Sequence, residues 1–313
     1  MSEVANMNSI TKELLNLISD GEIDFENSAY NIREDGGCAG RQSSKNISIV
    51  PKTDNPGIEI HIKPNTIGET VYIPACVTHS GVEDLVYNDF YVGENSDVVI
   101  VAGCGIHSDG HSESSHNGIH RFFVGKNAHV VYKEKHIGVG EGDGQRRIDP
   151  VTYVALDEDS VLEMDTTQIS GVDSTVRKTS GTVGARAKLL ITERIMTDGN
   201  ETAYTDFSVT MDGEDSACDL ISRSVAKDNS HQEFRSVIKG NTRCTGHSEC
   251  DAILVGNGTV SAAPELFAGN IDAALIHEAA IGKIAGEQIL KLRTLGLTEE
   301  EAEEKIIEGF LVG

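Results

Sequence analysis

The sequence predicts an all-β chain, a parallel β-helix with helices at both ends, and three observations carry that reading. Through the middle of the chain, short apolar runs are broken by Gly, Asn and Asp, as in strands joined by tight turns. A motif also returns: Val92-Gly93-Glu94-Asn95-Ser96-Asp97-Val98-Val99-Ile100 reappears as Val124-Gly125-Lys126-Asn127-Ala128-His129-Val130-Val131-Tyr132, with weaker copies beginning near Val154, Val183, Val209 and Val237. The intervals of 32, 30, 29, 26 and 28 residues are those of stacked supersecondary units. Third, helical periodicity is confined to the two ends. Each coil of a β-helix needs inward Val, Ile and Leu stacked rung on rung, with polar residues free to face outward. A β-sandwich would also space its strands regularly, whereas the six-residue aliphatic register of a left-handed hexapeptide helix is absent.

In chain order, residues 1–35 form an N-terminal helical segment. Ser9 to Ile18 reads as one amphipathic helix capped by Ser9 and stopped by Asp20-Gly21. Residues 36–270 form the β-helix body. Residues 271–313 open on His277-Glu278, a metal-competent imidazole and carboxylate, and continue as a helical hairpin. Ile289, Leu290, Leu292 and Leu295 recur at helical spacing, and Gly296 supplies a left-handed stop. Thr298 and Glu301 make a capping box, and Glu299, Glu300 and Glu301 sit where the helix dipole favours negative charge. Ala302, Ile306 and Phe310 form one stripe. Helices this short cannot bury both faces against each other, so the hairpin must dock on the body or on a partner. Helices at the two ends would also cover terminal coils that otherwise present open edges.

Composition removes several function classes. A formal net charge of -24 over 313 residues repels phosphate backbones and anionic lipid, so nucleic acid and membrane surfaces are excluded as partners. No run approaches 18 apolar residues and no basic n-region precedes an apolar stretch, which predicts a cytoplasmic protein. The cysteines, Cys38, Cys76, Cys104, Cys218, Cys244 and Cys250, are too dilute for a disulfide scaffold and should remain thiols. Cys104, His107, His111, His116 and His120 fall within 17 residues, a density suited to an accessory transition-metal site. The Gly/Ser/Asn-rich stretch between them, Gly105 to Gly118, is of a kind that more often forms a surface loop.

The run from Gly246 to Gly256, Pro264-Glu265-Leu266, His277-Glu278-Ala279-Ala280-Ile281-Gly282, Glu287 to Ala302 and Ile307-Glu308-Gly309-Phe310 together resemble the C-terminal third of the SufB/SufD family. A looser similarity covers Ile73 to Lys133 and touches Cys104 and His120. The resemblance implies a right-handed parallel β-helix that acts as a scaffold of the SUF system for iron–sulfur cluster assembly. It implies that the hairpin, through Ile289, Leu292, Leu295, Ala302, Ile306 and Phe310, docks a SufC-type ABC ATPase. It also implies that two SufB/SufD-type subunits pair through their β-helices, here as a homodimer. The chain has no G-x-x-x-x-G-K-[ST] loop, so the ATPase must come in trans and the chain itself is not expected to be an enzyme.

Carried over residue by residue, the family's functional His and the following Glu match His277 and Glu278, which suit iron or a transient iron–sulfur cluster; alternatively, His277 merely orients the hairpin. SufB has a cysteine shortly after the Gly that aligns with Gly256, but Asn257, Gly258, Thr259, Val260 and Ser261 stand here instead. The chain is therefore either a SufD-like partner or a short scaffold using another thiol. Cys218, in the polar stretch Asp215 to Leu220, is expected to be exposed and ranks first, with its acidic neighbours raising its pKa. Cys244 ranks second, and Cys250 reads as core. Two other functions compete. A carbohydrate-active β-helix would need aromatic platforms, and the chain has no Trp. A His/Cys metal-dependent hydrolase would rely on His107 or His111.

Overall fold

In a computed structural model of the chain, which describes residues 7–19 and 23–312, twenty strands form two sheets with three helices. The first sheet holds β1 (Ala29–Glu34), β2 (Gly37–Gln42), β5 (Ile67–Val77), β7 (Asp97–His107), β9 (His129–Val139), β12 (Val161–Ser170), β14 (Lys188–Thr197), β16 (Ser216–Ala226), β18 (Cys244–Leu254) and β20 (Ala273–Lys283). The second holds β3 (Ile47–Pro51), β4 (Gly57–Ile62), β6 (Glu83–Val92), β8 (Ser114–Val124), β10 (Arg146–Ile148), β11 (Val151–Leu156), β13 (Ser174–Val183), β15 (Thr202–Met211), β17 (His231–Gly240) and β19 (Thr259–Ala268). From β4 onward the chain moves from one sheet to the other and each strand pairs in parallel with the strand one coil away. The result is a β-solenoid of about eight turns. Only β1 with β2 and β3 with β4, at the first coil, are antiparallel.

Its true rungs run Val92, Val124, Leu156, Val183, Met211 and Gly240, at intervals of 32, 32, 27, 28 and 29 residues. The weaker copies sought at Val154, Val209 and Val237 therefore fall two or three residues early. Val154 and Val209 lie on the same inward face as Leu156 and Met211 two positions later, so a period of two leaves the register open by one step. Turn geometry resolves it. Asn65, Asn95, Asn127, Asp159, Arg186 and Asp215 all take left-handed φ between +54° and +62°, a conformation that short polar side chains tolerate best. Each donates its N–H to a carbonyl of the next coil at 2.8–3.1 Å, so the ladder runs unbroken through the turns. At Gly213 in the same turn series a Cβ would come within 2.0 Å of the Gly184 backbone, which excludes any side chain there.

The interior divides lengthwise. One column stacks Val98, Val130, Leu162, Leu189 and Cys218, and the next stacks Ile100, Tyr132, Met164, Ile191 and Leu220. Two residues further along the same strands, the inward positions become Ala102, Glu134, Thr166, Glu193, Ser222 and Cys250. Buried charge on this side is paired. Arg177 reaches Glu193 at 2.9 Å, Glu134 at 3.5 Å and His136 Nδ1 at 2.9 Å, while Thr205 and Ser222 donate to the other Glu193 oxygen at 3.0 and 3.2 Å. Such groups persist inside a protein only when their hydrogen bonds are met.

Helix α1 (Ser9–Ile18) lies on the outer face of the first sheet, burying Leu14, Leu15 and Ile18 beside Ile32 and Cys76. Its cap is Asn8, whose side chain accepts from Thr11 N at 2.9 Å, rather than Ser9, which is the first helical residue. Asp20-Gly21 lie outside the described residues. Helices α2 (Gly286–Thr294) and α3 (Glu299–Val312) form the hairpin, with Gly296 at φ +100°. The capping box is reciprocal: Thr298 N donates to Glu301 at 2.8 Å and Glu301 N to Thr298 Oγ1 at 3.1 Å.

The apolar stripe of α3 is turned slightly from the expected one. Ala302, Ile307 and Leu311 are buried and Ile306 and Phe310 half-buried, and the helix docks on the chain's own body at Val225, beside Ile169, Met196 and Ile253. None of α2 is buried: Leu290 is 60% exposed, and Leu295, which caps the helix, 72%. The hairpin thus lies along the flank and does not cover the last coil, contrary to expectation. Among the described residues nothing pairs with the outer edges of β19 and β20, and Phe267, Ile271 and Ile276 stand in solvent there. No described helix is long and apolar enough to cross a membrane.

Candidate functional site

His277 and Glu278 lie within β20, the last strand, so the β-helix runs on past residue 270 into the segment expected to be helical. Adjacent residues of a strand face opposite sides of its sheet, so the two side chains part. His277 continues the inward column of Leu220 and Ser248. Its Nδ1 is buried with no hydrogen-bond partner among the described residues, an orphaned donor or acceptor at the end of the interior. Glu278 faces outward, in register with Glu249 of β18 and Ile221 of β16.

The outward side gathers a second set of ligands. His247 and Glu249, two residues apart on β18, share a face, and Glu278 joins them from the next coil. One donor atom from each of the three lies within 4.8 Å of the others. His247 Nδ1 meets Asp219 Oδ1 at 2.7 Å and its Nε2 meets Glu278 Oε2 at 3.5 Å. Burial works against a charged ring, but the hydrogen bond to Asp219, reinforced by Glu278, prevails and holds the His247 pKa above its usual value. Partial burial and then the Asp251 charge raise Glu249. Two carboxylates and an imidazole oriented by a third carboxylate make a hard-to-borderline donor set suited to iron or zinc, which would replace the ring proton on Nε2.

The thiols are placed differently. Cys218 is buried at 3% exposure, not exposed, because Ala217 and Asp219 take the outward positions on either side of it. Burial pushes its thiol up to about 12, and does the same to Cys250. Cys244 is buried too, and its pKa is raised for the same reason. Cys218 pairs in register with Gly246 and then Leu275, two strands across and two residues along from His277, roughly 12 Å away by ordinary sheet spacings. Cys218, His277 and Glu278 are thus not brought to one point within the chain.

The segment from Cys104 to His120 splits as well. His111 sits on an exposed turn paired with Asp143, and His107 is half-buried at the end of β7. Cys104, His116 and His120 point into the interior. His247 and Glu249 were missed from the sequence, although the alternating His247-Ser248-Glu249 pattern would have put both on one face once β18 was recognised as a strand.

A family model described as SUF system FeS cluster assembly, SufBD core domain, matches residues 86–310. An iron-sulfur cluster assembly SufBD family protein of Methanothermobacter thermautotrophicus strain Delta H is 28% identical over 82% of this chain and 62% of its own length. A homologue from Methanocaldococcus jannaschii is 27% identical over 75% of this chain and 74% of its own. One from Archaeoglobus fulgidus is 29% identical over 78% and 66%. The chain spans about six-tenths of the Methanothermobacter relatives that it matches. With the family model covering well over half of its length, the chain belongs to the SufBD family of SUF-system iron–sulfur cluster assembly proteins.

Proposed function

We propose that the chain is a scaffold subunit for iron–sulfur cluster assembly, acting in the cytoplasm with a SufC-type ABC ATPase. In this reading it holds iron or a nascent cluster at its open C-terminal coil. The observation that supports it is the gathering of His247, Glu249 and Glu278 on the outer face of the last two coils, with the orphaned Nδ1 of His277 on the opposite, inward face of β20, beside sheet edges that nothing among the described residues pairs. Iron would be taken first by the outward carboxylates and imidazole. A second SufB/SufD-type subunit, most simply another copy, would pair along the free edges of β19 and β20 and close the site. The ATPase would dock on α2 and its C-cap, where Leu290 and Leu295 stand exposed beside the half-buried Ile289 and Leu292, while Ala302, Ile306 and Phe310 hold α3 in place. The chain supplies position and ligands, and the ATPase supplies turnover.

Burial of Cys218, Cys244 and Cys250 favours a second reading, a SufD-like subunit that orients a cluster held mainly by its partner. Anaerobic reconstitution with ferrous iron and sulfide separates the two. A scaffold develops charge-transfer absorbance as the homodimer and loses it in His247→Ala/Glu278→Ala, whereas a SufD-like subunit colours only when mixed with a cluster-bearing partner. No colour in either mixture, together with no ATPase retained on the immobilised chain, would sink both. Leu290→Asp/Leu295→Asp should abolish ATPase retention without changing the melting temperature.

A further inference from the structure

The interior contains a second constellation that the terminal site does not use. His116 and His120 lie four residues apart on β8, on the same inward face, with Gly118 between them. Each imidazole is held by its Nδ1: His116 contacts Asp84 Oδ2 at 3.0 Å, and His120 contacts the Tyr132 hydroxyl at 2.7 Å, which donates to Glu134 at 2.8 Å. Asp84 is fixed in turn by the Arg33 guanidinium at 2.6–3.0 Å. With Nδ1–H committed to these oxygens, the lone pair of each ring falls on Nε2. At His120 this agrees with the Asn88 amide, which donates to Nε2 at 3.3 Å. Burial also keeps the ring neutral, pushing its pKa down to about 4.

Both Nε2 atoms converge on the space left by the missing side chain of Gly118. A Cβ there would stand 3.0 Å from His120 Nε2 and 3.4 Å from His116 Nε2. The space belongs to a cavity of about 20 Å³ that Cys104 also lines, room for one water-sized occupant. A dry apolar void would need no such donors, and a water alone would not need both rings set by carboxylate-linked partners. Neutral imidazoles whose far nitrogens are tied to carboxylates, directly or through a hydroxyl, are the usual surroundings of a bound transition metal.

The geometry points to a lumenal site for a single divalent transition-metal ion, held by His116 Nε2 and His120 Nε2 over Gly118, separate from the terminal ligands and independent of the scaffold reading. Imidazole pairs suit zinc, iron, cobalt, nickel and copper, and an ion held by two protein ligands keeps open positions for small donors such as water or the Cys104 thiol. Asn88 would swing aside or present its carbonyl.

The test is cobalt(II) titration of the full-length chain, stripped with chelator, in a His247→Ala/Glu278→Ala background that removes the terminal set. We expect one equivalent of cobalt with ligand-field bands of imidazole coordination. Gly118→Ala, which fills the space with one methyl group, and His120→Asn should each weaken binding at least tenfold. Tyr132→Phe, which frees the second nitrogen of His120, should weaken it about tenfold. Circular dichroism and melting temperature establish that each variant is folded, and the mild Gly118→Ala keeps the test available if a histidine variant is not. Stoichiometric binding unaffected by Gly118→Ala and His120→Asn, or no cobalt retained in the background protein, overturns the proposal.

Discussion

His277 and Glu278, neighbours in the chain, point to opposite faces of β20, one into the end of the solenoid interior and one onto its outer surface with His247 and Glu249. A pair that reads as one chelating dyad is parted by the strand that carries it. In the isolated chain, Glu278→Ala should lower iron affinity through the outward set, and His277→Ala should act separately. The double variant should then equal the sum of the singles within about 0.5 kcal/mol, the tolerance for independent positions. Iron titration of all four proteins measures this, and a coupling well above that value would mean that both side chains bind one ion.

Five of the six cysteines are buried and only Cys38 is exposed. Iodoacetamide under native, reducing conditions should therefore label Cys38 alone, with the other thiols modified only after unfolding in urea. Peptide mass spectrometry gives the answer directly, and rapid labelling of Cys218 in the native chain would contradict its place in the column above Leu189.

Glu201 provides the pH dependence. Burial, with the Asp198 and Asp173 charges nearby, raises its pKa from 4.5 to about 7 against the opposing hydrogen bond from Asp198 N. The folded chain therefore prefers Glu201 protonated, and this contribution is full below about pH 4.5 and is lost as pH rises through about 7. Glu201→Gln should gain stability relative to the parent between these limits, by about 1 kcal/mol, because solvent screens a carboxylate this accessible. Urea midpoints at pH 5 and pH 8 that move in parallel for both proteins would refute it.

Arg177 holds Glu134 and Glu193 together in the interior. Arg177→Met leaves two buried carboxylates short of a partner and should cost about 3–5 kcal/mol. Adding Glu193→Gln should restore part of the loss, because one of the stranded charges is then gone. Equilibrium urea unfolding measures both, and a loss under about 1 kcal/mol would place the network in far wetter surroundings than its burial suggests.

The coil repeat was legible where turn and strand spoke together, as at Val92 and Val124, each followed by Gly and then by a left-handed Asn. It blurred at Val154 and Val209, where apolar residues two apart are interchangeable in an alternating pattern, whereas Val183 falls on the true rung although Arg186 stands in the turn position that Asn or Asp usually marks. Cys218 was misjudged from its acidic neighbours. The period of two already separates it from Asp219 and aligns it with Leu220, and pattern outweighs composition on a strand. Ala273 to Ala280 offered no such help, since apolar residues occupy both faces of β20, and neither the strand nor the parting of His277 from Glu278 could be read from it. His116 and His120 stood out in the sequence as part of a metal-competent cluster, but their parting from His107 and His111 did not, because their partners Asp84, Tyr132 and Arg33 come from other coils.

The uncapped final coil also sets how the molecule breathes. In a stack where each turn is steadied only by its immediate neighbours, the outermost turn has half the support of the rest and opens first. Amide deuteration should therefore sweep in from β19 and β20 while the central strands stay protected. Any second subunit that seats there would quench that fraying before it altered anything deeper, so the end that gathers His247, Glu249, Glu278 and His277 is also the end whose motion such a partner would switch off.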